Sequence, residues 1–554
     1  RGKRRVRFTV TSATAFASTN HPRDELFNEH SVMWLTTVIT ALWVAAAAWR
    51  FAVIDDQGSA PDRGTAIFNG VNFLIMALFG VYCVLEPLVQ KHLKRTHGEA
   101  DEPAEKREGE KEAAQIAVVV DTPPKVEGDL QTVPLDVEAK QPPADAAKPA
   151  RRKMAYLTNV KTFLTFIVVT FHITIQFSMD VADGIGTLNV QLADLSNPSN
   201  LENAKFGSFL TGASWFTNVN QYYFMAAFFF ISAYFCPKSM DRKGFRRFVE
   251  DKLVRLGGGF LLYSLLLGPI LFLYCFAYAG YPVTYEFYIG PPWFILWLLN
   301  FTLIYAVIAQ FAAPVKMNMP HPVILLLFGA FLSAAFYGAA VGVPEVWSSL
   351  GNMVMWKFGI GLYIPFFTAG IIAGRNDWMK SVEEMKTWIV WMLRTIVVGF
   401  WILMFLEAGS GIIPIPGINI DSGVLDNLLP PIYAVPMTLA LIQFFHQYFN
   451  GTPPSKIAKN AGAAAYTVYI IHTVVYNVWI IAFIAILKAA GVSIWWSQEK
   501  TLLYLTIDPA TGEPTMLPDG YIWAGWLWTL ILSQLTVWPL AHYMRQLPVL
   551  NKIL

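Results

Sequence analysis

Runs of about twenty apolar residues recur along this chain, separated by shorter polar stretches. A helix rises 1.5 Å per residue, so a run of that length crosses the roughly 30 Å hydrocarbon layer of a bilayer. Twelve spans are expected on this pattern. Two come first, at about 33–54 (MWLTTVITALWVAAAAWRFAVI) and 66–89. Ten follow, at about 157–178, 219–237, 256–279, 292–313, 321–341, 355–374, 387–407, 426–448, 463–488 and 523–543. Residues 90–155 break the pattern. KHLKRTHGEADEPAEKREGEKEAAQ and PPADAAKPARRK are rich in Lys, Glu, Pro and Ala. Such composition buries too little apolar surface to offset chain entropy, so a disordered linker is expected there. The chain thus divides into a two-helix N-terminal segment (1–89), a linker (90–155) and a ten-helix membrane domain (156–554). The expected fold class is all-α, a polytopic integral membrane protein. No soluble catalytic domain is visible, so any chemistry belongs within or at the bilayer.

Composition sharpens this picture. Of 554 residues, 55% are hydrophobic and 14% charged, well below the roughly 25% charged of soluble domains. A net charge of +2 gives no reason to expect a nucleic-acid partner. Cys83, Cys236 and Cys275 lie in or beside apolar runs, with no metal or redox spacing, and no metal is expected. The chain opens on RGKRRVRF without a methionine, as a truncated or processed product would. The placement of basic residues says more than their sum. Residues 238–255 hold seven of them (Lys238, Arg242, Lys243, Arg246, Arg247, Lys252, Arg255) against three acidic ones. The linker ends, the N-terminus and the NKIL tail are also basic. Threading twelve spans puts all of these on one side, while the loops at 55–65, 179–218, 408–425 and 489–522 are poor in Lys and Arg. Both termini are therefore expected in the cytoplasm.

Against this background the span LTNVKTFLTFIVVTFHITIQF (157–177) is unusual, because it carries Lys161 and His172. An ionisable group in lipid costs roughly 2.5–3.5 kcal/mol on insertion scales, so each needs a reason to be there. Ten residues separate them, about 16 Å along a helix. Lys161 falls near the cytoplasmic end and His172 in the outer half. Two readings stand for each. Lys161 either snorkels to nearby headgroups or binds an anion, and His172 is either a packed core residue or a proton acceptor. Arg394, inside another span, needs a partner or a water-filled cavity.

The segment LTNVKTFLTFIVVTFH resembles the first helix of the membrane acyltransferase 3 family, which reads L-D-x-L-R, an apolar run, then His. Here the Arg is Lys161 and the Asp is Thr158. Four further matches follow in the family's order. FFFISAYFCPKSMDRKGFRRFVEDKLVRLG resembles its F-F-x-x-S-G-Y segment and basic loop, with Ala233 for Gly. GPPWFILWLLNF (290–301), FFTAGIIAGRNDW (366–378) and YIIH (469–472) resemble later motifs.

The resemblance implies transfer of an acyl group from cytoplasmic acyl-CoA, as co-substrate, to a hydroxyl of a carbohydrate or lipid-linked acceptor. His172 is then the expected catalytic base, with Lys161 beside it. Lys161, Arg247 and Arg255 are expected at the coenzyme A phosphates, and Ser232, Trp293 and His472 at the substrate. Simpler readings stand beside these. The basic stretch also sets topology and touches anionic lipid. Ser232 also suits close helix packing, Trp293 an interfacial anchor and His472 a core position. Two other functions stay open on the sequence: a transporter or flippase for a small amphiphile, and an inactive scaffold of the same fold.

Overall fold

The computed structural model describes residues 22–52, 60–96, 154–177, 208–279, 285, 287–342, 358–410, 412–415, 418–450, 455–492 and 519–554, with short strand pieces between 495 and 515. Most of the expected linker, 97–153, lies outside the described residues, as does 178–207. Helices α1 (Pro22–Ala52) and α2 (Ala60–Thr96) form an N-terminal hairpin, and α2 continues past its expected end to Thr96. The helix carrying Lys161 and His172 is α3 (Ala155–Phe177). Then come α4 (Ser208–Gln221), α5 (Phe224–Tyr234), α6 (Cys236–Lys252), α7 (Gly258–Leu262), α8 (Gly268–Ala279), α9 (Trp293–Phe311) and α10 (Pro322–Gly342). The chain finishes with α11 (Ile364–Asn376), α12 (Trp378–Glu383), α13 (Thr387–Ser410), α14 (Ser422–Phe449), α15 (Lys456–Ala489), α16 (Asp519–Met544) and α17 (Leu550–Ile553).

Eight helical stretches among the described residues are long and apolar enough to cross a membrane: α1, α2, α3, the run from α6 to α8, α9, α13, α14 and α15. The other expected spans fall on α5, α10, α11 and α16, which are shorter or less apolar over their described residues. The protein is an integral, multi-pass helical membrane protein. Among the described residues, strand content is confined to three two-stranded antiparallel hairpins, the longest pairing Ile412–Ile415 with Ile418–Asp421.

The basic stretch 238–255 departs from expectation, because it is helical where the sequence suggests a loop. Cys236, Pro237, Met240, Phe248 and Val249 are buried, and this apolar side holds α6 onto the bundle while Lys238, Asp241, Arg242 and Arg247 are exposed. A bend at Gly244 (φ 74°, ψ 170°), in a region open only to glycine, turns the helix toward the membrane. Arg255 follows within the same run. It lies in a π-helical segment, Leu253–Gly257, within one run from Cys236 to Ala279. Two more π segments occur, at Tyr263–Leu267 and Gly359–Tyr363. Wide turns of this kind leave a carbonyl unpaired and often accompany functional sites.

Helix α3 is the axis of the bundle. It packs against α4, α5, α14, α15 and α16, and is buried on most of its circumference. The sequence Gly370-Ile-Ile-Ala-Gly374 sets α11 against α5 at backbone distance. A Cβ at Gly370 would overlap the Phe230 carbonyl, and one at Gly374 the Tyr234 carbonyl. Gly462 of α15 likewise admits the methyl of Thr158. Thr158, where the family pattern has Asp, is thus placed at a helix crossing.

Candidate functional site

His172 and His472 face each other at the α3–α15 contact. His472 Nε2 lies 3.2 Å from His172 Nδ1, and the ring centroids are 4.9 Å apart. Each ring also meets a carbonyl of its own helix. His172 Nδ1 is 2.9 Å from Val168 O, and His472 Nδ1 is 2.7 Å from Tyr469 O. A carbonyl only accepts, so both Nδ1 atoms carry protons. His472 Nε2 must then accept from His172 Nδ1–H, which is shared between that nitrogen and Val168 O. The pair therefore fixes one tautomer at His172, with Nε2 deprotonated and carrying its lone pair. Among the described residues Nε2 has no hydrogen-bond partner.

The neighbours of His172 on the same face of α3, Val168 and Gln176, are buried, and His472 opposite is 1% exposed. His172 itself is only half-buried. This face of α3 packs on α15.

Cations gather at the other end of α3. Lys161 is half-buried, its ammonium 5.4 Å from the centre of the Phe235 ring. Lys252 and Arg255, from the bent helix, are close enough to act on it electrostatically. Like charges brought together repel, so the arrangement favours an anion among them. Among the described residues Lys161 has no carboxylate partner. The carbonyl of Arg255 accepts the Tyr466 hydroxyl at 2.7 Å, tying the cationic end to the helix that bears His472. Ser232 is the one residue of α5 that is not buried, and it shares a face with Phe235, three positions on. That places it on the Lys161 side.

Trp293 stands at the start of α9, with its ring 5.7 Å from that of Tyr363. The adjoining Pro291 carbonyl accepts the Tyr469 hydroxyl, and the Tyr469 ring lies 5.9 Å from His472. Trp293 is thus linked to the histidines through one intervening side chain. Arg247 is exposed on α6 and is not among the charges acting on Lys161; Lys252 holds that place. Arg394 has found partners of its own. Its Nη2 donates to Gln443 Oε1 (3.1 Å) and Gln447 Oε1 (2.7 Å), and its guanidinium lies over Trp391, Phe444 and Tyr448. It fastens α13 to α14 and does not join the histidines.

Sequence reasoning missed Lys252 as a neighbour of Lys161. It also missed a polar knot near the N-terminal end of α3. There the Tyr156 hydroxyl donates to Glu383 at 2.7 Å, and His446 lies 3.8 Å from the same carboxylate. A separate apolar crevice of about 70 Å³, bounded by Phe230, Phe328, Phe366, Trp378 and Leu439, contains no titratable side chain. Neither histidine nor Lys161 lines it.

Bundle and site together define a multi-pass helical membrane protein with paired imidazoles inside and a cationic mouth at one end. Residues 154–541 match the acyltransferase domain of the acyltransferase 3 family, and the chain belongs to that family. Helices α1 and α2 precede the matched region. No curated protein and no solved structure matches the chain.

Proposed function

We propose that the protein moves an acyl group from cytoplasmic acyl-CoA to a hydroxyl of a carbohydrate or lipid-linked acceptor, with His172 as general base. The observation that carries this reading is the pairing with His472, which favours the tautomer that leaves His172 Nε2 unprotonated. The acceptor O–H gives its proton to Nε2 while its oxygen attacks the thioester carbon. The C–S bond then breaks, and the departing thiolate takes the proton back from Nε2–H. The products are an ester and free coenzyme A, and the base is regenerated. His172 Nδ1–H stays bonded to His472 throughout, so the imidazolium formed midway is held without rotation.

Lys161, Lys252 and Arg255 are the proposed hold on the donor's phosphates, with Arg247 further out on α6 and Ser232 beside the passage. From Lys161 to His172 the helix rises about 16 Å, a distance of the order an extended pantetheine arm spans. Trp293 and His472 border the acceptor side, which is proposed to open on the face away from the basic helix. Lys161 is a point charge where arginine would offer a two-pronged fork, so donor positioning rests on the three cations jointly.

The test is transfer from labelled acyl-CoA by the purified protein, wild type and His172→Ala. A positioned general base contributes roughly 10²–10⁴-fold, and the variant is expected to lose that much in kcat. Transfer unchanged in His172→Ala overturns the proposal. Substrate flux across vesicles with no acyl-CoA present would mark a transporter instead.

A further inference from the structure

The outer face of the α13–α14 pair carries a cation whose bonds are only partly filled. Helix α13 is the least buried of the eight stretches able to cross a membrane. It exposes Trp388, Trp391, Val398, Ile402 and Phe405, a row at helical spacing that meets lipid in a bilayer. Arg394 stands at the edge of this row, half-buried, with no carboxylate partner among the described residues. Its Nη2 hydrogens go to Gln443 and Gln447. Its Nε is sealed in the contact without a partner. Its Nη1 is not among the sealed atoms, and it has no partner among the described residues either. A full charge with open donors is costly beside lipid.

The surroundings add donors and no acceptor for them. The guanidinium carbon lies 5.5 Å from the ring centre of Trp391 and 5.7 Å from that of Tyr448. These residues are 61% and 55% exposed. Among the described residues, no hydrogen bond takes up the Trp391 N–H or the Tyr448 O–H. Tyr448 is the last residue but one of α14, and the Phe449 carbonyl after it accepts from Asn159 Nδ2 at 3.3 Å. The cluster therefore lies at the end of the bundle where α3 begins. A spanning helix leaves the hydrocarbon at such a level, and lipid phosphates lie there.

We propose that Arg394, Trp391 and Tyr448 form a site for the phosphate of an anionic phospholipid, on the lipid-facing side of α13 and α14. Phosphate oxygens accept from all three donors, and a guanidinium pairs with phosphate through charge-assisted bonds. The exposed rings of Trp391, Phe444 and Tyr448 lie where the first acyl carbons of that lipid would cover them. A choline headgroup brings a second cation beside one that is already uncompensated, and it is disfavoured for that reason. Free phosphate lacks the chains that cover the rings. The site is separate from the histidine pair and does not depend on acyl transfer.

The experiment titrates full-length protein in detergent micelles with fluorescent phosphatidylglycerol. Phosphatidylcholine and inorganic phosphate serve as competitors. Arg394→Gln is expected to weaken phosphatidylglycerol binding about tenfold, the worth of one charge-assisted hydrogen bond. Because Arg394 also fastens the two helices, a second variant removes donors without touching that clamp. Trp391→Phe combined with Tyr448→Phe keeps an aromatic ring at both places and loses both polar hydrogens. It is expected to weaken binding by about the same factor. Undiminished affinity in the combined variant overturns the proposal, whatever Arg394→Gln does. Phosphatidylcholine that competes as well as unlabelled phosphatidylglycerol overturns the preference for an anionic headgroup. Inorganic phosphate that displaces the lipid at equal concentration overturns a phospholipid as the occupant.

Discussion

On the proposed mechanism His472 holds His172 in place, so its removal has a distinctive signature. His472→Ala deletes the acceptor of His172 Nδ1–H and leaves Val168 O as sole partner. The tautomer then holds less firmly and the ring gains freedom to turn. Losing one such bond is worth about 1 kcal/mol, so kcat should fall roughly five- to tenfold with the KM for acyl-CoA unchanged. His472→Gln offers an amide oxygen in place of Nε2 and should recover part of the loss. Steady-state kinetics over both substrates check this; an acyl-CoA KM that rises with the fall in kcat would mean His472 holds the fold instead. At this scale the sequence is informative only where chemistry is conspicuous. His172 and Lys161 stand out because charge in lipid is expensive. The partners of Arg394 do not. Gln443 and Gln447 lie about fifty positions away, and no local spacing joins them to it.

At the scale of elements, hydrophobic runs locate α3, α9 and α13 to within a few residues, because span length is fixed by the bilayer, and they miss the first seven residues of α15. They fail between Cys236 and Lys252, where apolar residues at helical spacing are outnumbered by charge and a surface helix reads as a loop. The π segments are invisible in the same way, since one added residue per turn leaves composition unaltered. Packing of α5 on α11 was legible in principle, as Gly370 and Gly374 have the small-xxx-small spacing of close helix pairs. Gly370→Leu should force the helices apart at Phe230 O. Overpacking of this kind costs about 1–3 kcal/mol. Lower thermal stability of the purified protein is therefore expected, read by a melting curve, with Gly399→Leu as control because a Cβ there meets nothing within 4 Å. Equal effects of the two changes would contradict the packing argument.

The whole molecule joins the N-terminal hairpin to the family domain by two kinds of contact. One is apolar: Trp43 is 1% exposed and stacks on Phe260, with centroids 5.5 Å apart and planes within 4°. The other is polar: Arg246 meets Glu86 at 3.0 Å and Glu250 at 3.2 Å, Thr36 donates to Glu250, and Lys552 donates to Ser31. These contacts bring α1 and α2 onto the same bent helix that carries Lys252 and Arg255 to Lys161, so the hairpin braces the cationic mouth from behind. The two kinds of contact differ in weight. Arg246 and Glu86 are each more than a quarter exposed and Arg246 keeps Glu250, so removing Glu86 forfeits only about 0–1 kcal/mol. Truncating a fully buried tryptophan costs about 3–5 kcal/mol, through lost contacts and the cavity left behind. Trp43→Ala should therefore lower resistance to unfolding by denaturant far more than Glu86→Gln does. If the hairpin braces the mouth, Trp43→Ala should also raise the KM for acyl-CoA, although Trp43 lies outside the matched domain. A variant that loses stability with that KM intact would show a hairpin that anchors the chain without shaping the donor site.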